Sequence, residues 1–157
     1  MQRFPFGLHI PVDDLREWVV SGLAPPLPEW TSETSRQFCL ARQAAANVAH
    51  LYLEAGFAVA IDDIITPDEA QALFAGALPG YRLYRILLRP RVEIAIARNA
   101  SRKNKRFDTS ILAEPIRSIH RWLGEQNFAA AGWIVIDNSG LGVDETVDEI
   151  LNRIGME

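Results

Sequence analysis

The chain has 157 residues, close to the commonest size of a single domain and long enough to bury one substantial core. Its 48% hydrophobic and 23% charged residues are those of an ordinary soluble globular protein, and a net charge of −4 argues against a general nucleic-acid binder, which carries a basic excess. One cysteine, Cys39, excludes an intrachain disulfide; no apolar run approaches the ~20 residues of a membrane span, and "MQRFPFGLHI" lacks a signal-peptide core, so a cytoplasmic protein is expected.

In chain order, "FGLHIPV" (6–12) predicts a short strand and "DLREWVV" a short helix behind it. "LAPPLPEW" (23–30) holds three prolines and is expected to be irregular. From Ser35 to Ala55, apolar residues recur at Phe38, Ala41, Ala45, Val48, Ala49 and Tyr52, which is helical spacing, and Gly56 is placed to end that helix. Cys39 lies among these apolar neighbours and reads as a small buried core residue. "FAVAI" (57–61) has no polar alternation, as in strands covered on both faces.

Thr66, Pro67 and Glu69 make a helix start, with a cap, a proline at the first helical position and a capping box. "YRLYRILL" (81–88) predicts a strand, Pro90 opens a helix through "VEIAIARNASR", and a further helix from about Pro115 places Ile116, Ile119, His120 and Leu123 on one face. "WIVID" (133–137) predicts the last strand. The last helix carries Val147, Ile150, Leu151 and Ile154 at helical spacing and stops at Gly155. The order β-α-α-β-α-β-α-α-β-α predicts an α/β three-layer sandwich on a parallel sheet, as a single domain over 1–157.

"GFAVAIDDII" (56–65) raises a particular question, because an apolar strand runs straight into Asp62 and Asp63. An ionised carboxylate is costly to bury unpaired, so such a pair belongs at a solvent edge or beside a cation. Ligands of parallel sheets bind beyond the carboxyl ends of the strands. Asp13, Asp62, Asp63, Arg89 and Asp137 all fall there, so polar residues from four strands are expected to meet on one edge. His9, His50 and His120 are scattered and read as packing or surface histidines.

"FGLHIPVDDLREWV", "GFAVAIDDII", "LLRPRVEIAIARNASR" and "WIVIDNSGL", in that order, resemble the P-loop kinases of the chloramphenicol phosphotransferase-like and zeta-toxin-like group, from about Phe6 to the C-terminus. The resemblance implies ATP and Mg²⁺ as cofactors and a small-molecule hydroxyl as substrate, with residues 23–34 shaping its pocket. It implies that Asp62 and Asp63 organise the metal and that Asp13 accepts the hydroxyl proton. Two plainer roles stay open: Asp13 as the cap of a helix starting at Asp14, and Asp62 and Asp63 as turn residues.

Arg98 and Arg102 match the family's R-x-x-x-R lid pattern, within a lid-like segment 98–110 that is expected to be mobile. At i, i+4 they share a helix face, with Lys103, Lys105 and Arg106 extending the basic patch; a solvated basic face is the alternative. Asn138, Ser139 and Arg106 are implied as nucleotide contacts.

The sequence departs from the family at its defining element. No G-x-x-x-x-G-K-[ST] occurs, and no glycine is followed by lysine. The fold expected is therefore P-loop NTPase-like without its first strand, P-loop and first helix, a truncated kinase that is inactive as it stands. A non-catalytic binding or interaction module is the alternative. The strands 57–61 and 81–88 would lose the strand between them, so either a direct ladder between the two or a homodimer through exposed sheet edges is expected.

Overall fold

In the computed structural model, which describes residues 2–102 and 109–156, the chain is a mixed α/β protein with two small parallel sheets. It divides into two units, 1–81 and 82–157.

In the first unit, β1 (Gly7–Pro11) pairs in parallel with β2 (Ala58–Asp62), from Gly7 opposite Ala58 to Pro11 opposite Asp62. A parallel pair needs a crossover, and α1 (Val12–Glu17), an irregular stretch and α2 (Ser32–Glu54) supply it. The second helix begins three residues before the expected Ser35, because Thr31 caps it and forms a capping box with Thr34. Its core face is Phe38, Ala41, Ala45, Ala46 and Ala49, all buried. The four alanines keep the helix surface low, and Phe38 supplies the bulk, worth roughly 1.5–3 kcal/mol when fully buried.

Cys39 corrects the sequence reading, since it is exposed. One residue further along a helix turns the side chain about 100° from Phe38, away from the buried stripe. Gly56 ends α2 as expected, at φ 82°, with Phe57 N–H donating to Tyr52 O at 3.0 Å and Gly56 N–H to Leu53 O at 3.0 Å. This is the paired-bond helix stop that requires a left-handed residue. α3 (Pro67–Ala77) starts on the predicted box, Thr66 accepting from Glu69 N–H and Glu69 accepting from Thr66 N–H.

The second unit holds β3 (Ile86–Leu88), α4 (Val92–Ala100), a 3₁₀ turn (Thr109–Leu112), α5 (Ala113–Glu125), β4 (Ile134–Ile136) and α6 (Val143–Ile154). β3 and β4 pair in parallel, Ile86 opposite Ile134 through Leu88 opposite Ile136. Gly155 ends α6 at φ 70°.

Three expectations about the sheet change. Strand pairing over 81–88 shrinks to Ile86–Leu88, because β4 starts only at Ile134 and gives residues 81–84 nothing to pair with. Ile134 N–H donates to Arg85 O, and that bond opens the ladder. The four strands form two separate two-stranded sheets rather than one, and no ladder joins β2 to β3 among the described residues. Each strand thus has one hydrogen-bonded neighbour, although β2 is apolar through Ile61 and its residues Ala58–Ile61 are only half-buried. Among the described residues no helix is long and apolar enough to cross a membrane.

Candidate functional site

The question posed by Asp62 and Asp63 has two different answers, one for each residue. Side chains alternate along a strand, so neighbours leave it in opposite directions. The Asp62 carboxylate is open, 74% exposed, with the ring of His9 3.7 Å away. His9 sits opposite Ala60 in the register, on the strand beside Asp62. The Asp63 side chain is only 7% exposed and lies against Arg42, itself 8% exposed.

Arg42 Nε donates to Asp63 Oδ2 at 2.6 Å, and Nη2 reaches Oδ1 at 3.5 Å. The same guanidinium donates to Ile64 O at 3.0 Å and to Glu69 Oε1 at 3.1 Å. One arginine on α2 therefore fastens the end of β2 to the first turn of α3. Burial pushes the Asp63 carboxyl up from its ordinary value; Arg42 opposes that, and the neighbouring Asp13 charge adds to it. For Glu69, burial acts upward too, but the Thr66 N–H and hydroxyl together with Arg42 outweigh it and leave the carboxyl lowered.

Asp13 lies two residues past Pro11, whose register partner is Asp62, so Asp13, Asp62 and Asp63 share the carboxyl end of one parallel pair. Asp13 is exposed in the first turn of α1, and the cap position is Pro11, with no side-chain cap bond. The helix begins earlier than Asp14, so the capping role considered for Asp13 does not apply.

Arg42 was missed by sequence reasoning, yet it left a signal. It follows Phe38 by four residues and precedes Ala46 by four, which puts a charge on the apolar stripe of α2. A charge at such a position asks for a buried partner. Gln37 and Arg16 are further polar residues buried in this unit, and both bond the irregular stretch that follows α1.

In the second unit the residues after β4 form a tight turn. Asp137 accepts from the Ser139 N–H at 2.9 Å and from the Ser139 hydroxyl, while Arg91 N–H donates to Ser139 Oγ at 2.7 Å. These Ser139 bonds, hydroxyl first and N–H second, with the Arg91 charge adding to them, hold the Asp137 carboxyl below its ordinary value. Arg98 Nη2 donates to Asn138 O at 2.8 Å and to Leu141 O at 3.0 Å. Asn138 is buried, and its Oδ1 has no partner among the described residues. Arg89, just past β3, donates its N–H to Ile136 O. Its guanidinium lies so close to α5 that a Cβ at Gly124 would collide with it.

The structure thus brings Arg98, Asn138 and Ser139 together, and separately Asp13, Asp62 and Asp63. The strands that carry these polar ends belong to two sheets. Arg102 is exposed and two residues beyond the end of α4, in a turn closed by its N–H to Asn99 O at 3.1 Å, so the shared helix face with Arg98 is not formed. Arg106, with Lys103 and Lys105, lies outside the described residues, as does the whole stretch 103–108 of the lid-like segment. Among the described residues no group of three or more His, Cys, Asp or Glu side chains is arranged to hold a metal ion. No protein-family model matches the chain, and no curated protein matches it.

Proposed function

We propose that these 157 residues are a P-loop-kinase-like domain of three-layer α/β type, built for ATP-dependent phosphorylation of a small-molecule hydroxyl, with the phosphate cradle supplied outside them. The observation that carries this reading is the carboxyl end of the β1–β2 pair. There two open carboxylates, Asp13 and Asp62, share the strand end with one that Arg42 has locked.

A site of that kind suits Mg²⁺, which is commonly held through one or two carboxylates plus phosphate oxygens. Asp62 would hold the metal. Asp63 would not, because its oxygens face Arg42; its part is to fix the turn from which Asp62 projects. Asp13, exposed at the same end, would accept the hydroxyl proton. ATP lacks a fitting cradle here, since no residue run supplies the G-x-x-x-x-G-K-[ST] amides and lysine. Alone, the chain is therefore inactive.

A second reading, a non-catalytic binding module, has its own supporting observation. Arg98 spends two donors on main-chain carbonyls, and Ser139 is engaged by Asp137 and Arg91, so these residues have structural employment without any nucleotide. The notion of a homodimer through sheet edges stays within this reading.

Paramagnetic Mn²⁺, used in place of Mg²⁺ in an NMR titration, tests the proposal. Amide signals around Asp62 and Asp13 should broaden first, and Asp62→Asn should abolish the effect. Broadening centred elsewhere, or unchanged in Asp62→Asn, overturns the metal assignment. Titration calorimetry should show no micromolar binding of ATP·Mg²⁺ to residues 1–157; such binding would overturn the missing-cradle part.

A further inference from the structure

The stretch between α1 and α2 is built inside out. Its main-chain polar groups turn inward to buried side chains. Arg16 Nη1 donates to Ala24 O at 2.8 Å, Gln37 Nε2 donates to Gly22 O at 2.8 Å, Ala24 N–H donates to Gln37 Oε1 at 2.9 Å, and the Thr34 hydroxyl donates to Pro25 O at 3.3 Å. Arg16, Thr34 and Gln37 are all buried.

Its large apolar side chains, by contrast, point to solvent. Trp18 is 74% exposed and Val20 99%, and Leu23, Leu27 and Trp30 are exposed as well. Trp30 is held rigid, stacked on Phe38 at 4.9 Å between ring centroids and donating from Nε1 to Ser35 Oγ at 2.7 Å. Phe38 in turn has the Arg16 guanidinium 4.3 Å above its ring. The stretch is therefore pinned to the first two turns of α2, with Trp30 seated on that anchor.

A loop that merely connected two helices would do the reverse, with apolar groups inside and polar main chain in water. Five such side chains within one short, pinned stretch together expose on the order of several hundred Å² of apolar surface, an amount that on a monomer is often functional. A small molecule is a poor occupant, because ligand sites are concave and bury most of their ligand, whereas Val20 protrudes. Charge selects among larger partners. Over residues 12–31 the exposed charges are Asp13, Asp14, Glu17 and Glu29, all acidic, while the single basic residue, Arg16, is buried. A second copy of this chain would bring its own carboxylates against these, and an anionic lipid surface would be repelled.

We propose that the loop over residues 18–30 is a docking surface for a basic amphipathic helix of another protein, with the helix's apolar face on Trp18, Val20 and Trp30 and its lysines or arginines toward Asp14 and Glu29. Grooves and platforms that take amphipathic helices read them through apolar anchors spaced one turn apart, with charge on the flanks setting the partner. This surface does not depend on the kinase reading.

Fluorescence anisotropy of a labelled helical peptide made of leucine and lysine, titrated with residues 1–157, tests it. We expect saturable binding that Trp18→Ser with Val20→Asp weakens at least about tenfold, as for aromatic hot spots. The control Val143→Ser, exposed in the other unit, should change affinity by less than about twofold. Asp14→Lys with Glu29→Lys should weaken the lysine peptide and admit one with glutamate in its place. Equal binding of both peptides by the unaltered chain, or undiminished binding by the Trp18/Val20 variant with a native circular dichroism spectrum, overturns the proposal. Sedimentation showing that the chain is a dimer which Val20→Asp dissociates overturns it too, by giving the surface to a second copy.

Discussion

Both sheets carry an apolar strand that runs into aspartate, β2 into Asp62 and Asp63 and β4 into Asp137, yet the two units handle the charge in different ways. In the first, Asp63 is buried and answered by Arg42, twenty-one residues earlier on α2. In the second, Asp137 stays in solvent and is answered by Ser139, two residues later. The first solution ties together three elements, α2, β2 and α3. The second ties a turn to itself and to the start of α4. A long-range buried pair makes tertiary structure depend on it, whereas an exposed local turn does not.

The largest test of this contrast is Arg42→Met. It leaves the Asp63 carboxylate without its counter-charge, and urea unfolding should show a loss of about 3–5 kcal/mol, as for other broken buried pairs. Arg42→Met with Asp63→Leu should recover much of that, since removing both partners removes the desolvation problem. The Arg42→Met loss should also shrink in acid, because a protonated Asp63 needs no counter-ion. A loss under about 1 kcal/mol would mean that the pair behaves as a surface ion pair, and the contrast would fall.

A smaller effect is expected from Arg98→Met. Its two bonds to the carbonyls of Asn138 and Leu141 are partly solvated, so the loss should be about 1–2 kcal/mol. Hydrogen exchange should localise that loss to residues 137–142. A penalty matching that of Arg42→Met would show that the second unit leans on its turn as heavily as the first leans on its buried pair.

The smallest effects are titrations. Hydrogen bonds from Arg36 first and Gln37 second hold the exposed Glu33 carboxyl down to about 2 from an ordinary 4.5. A carboxyl lowered by folding stabilises the fold above its unfolded value and loses that contribution as pH falls through the folded one. Glu33 and Asp137 should therefore both contribute to acid destabilisation, Glu33 between about 4.5 and about 2. Asp63 has the opposite sign. Raised by burial, it favours folding most below its ordinary value, and that contribution declines as pH rises through the raised one. Carbon-detected NMR titration reads all three. Ser139→Ala should return Asp137 toward its ordinary value, and an unmoved Asp137 would show that the turn is not what lowers it.

Much of the local structure was legible in the sequence, because local signals have local causes. Thr66-Pro67-Glu69 and Gly155 mark helix ends through bonds within a few residues, and both stand where the pattern put them. The stripe from Phe38 to Ala49 follows from burial periodicity alone, and β2 and β4 lie on the apolar runs that mark them, although β2 is only half-buried. Asp13, Asp62 and Asp63 could likewise be placed at the carboxyl end of parallel strands. What escaped was whatever required knowing which element lies beside which. Cys39 faces solvent because the helix packs through its neighbours, and pairing over 81–88 shortens because its partner β4 is three residues long. One sheet became two because strand order is set by packing rather than by the pattern within any strand. The partner of Asp63 appears only in the tertiary structure, where α2 brings Arg42 to within 2.6 Å of it, since a buried charge takes its meaning from the one beside it.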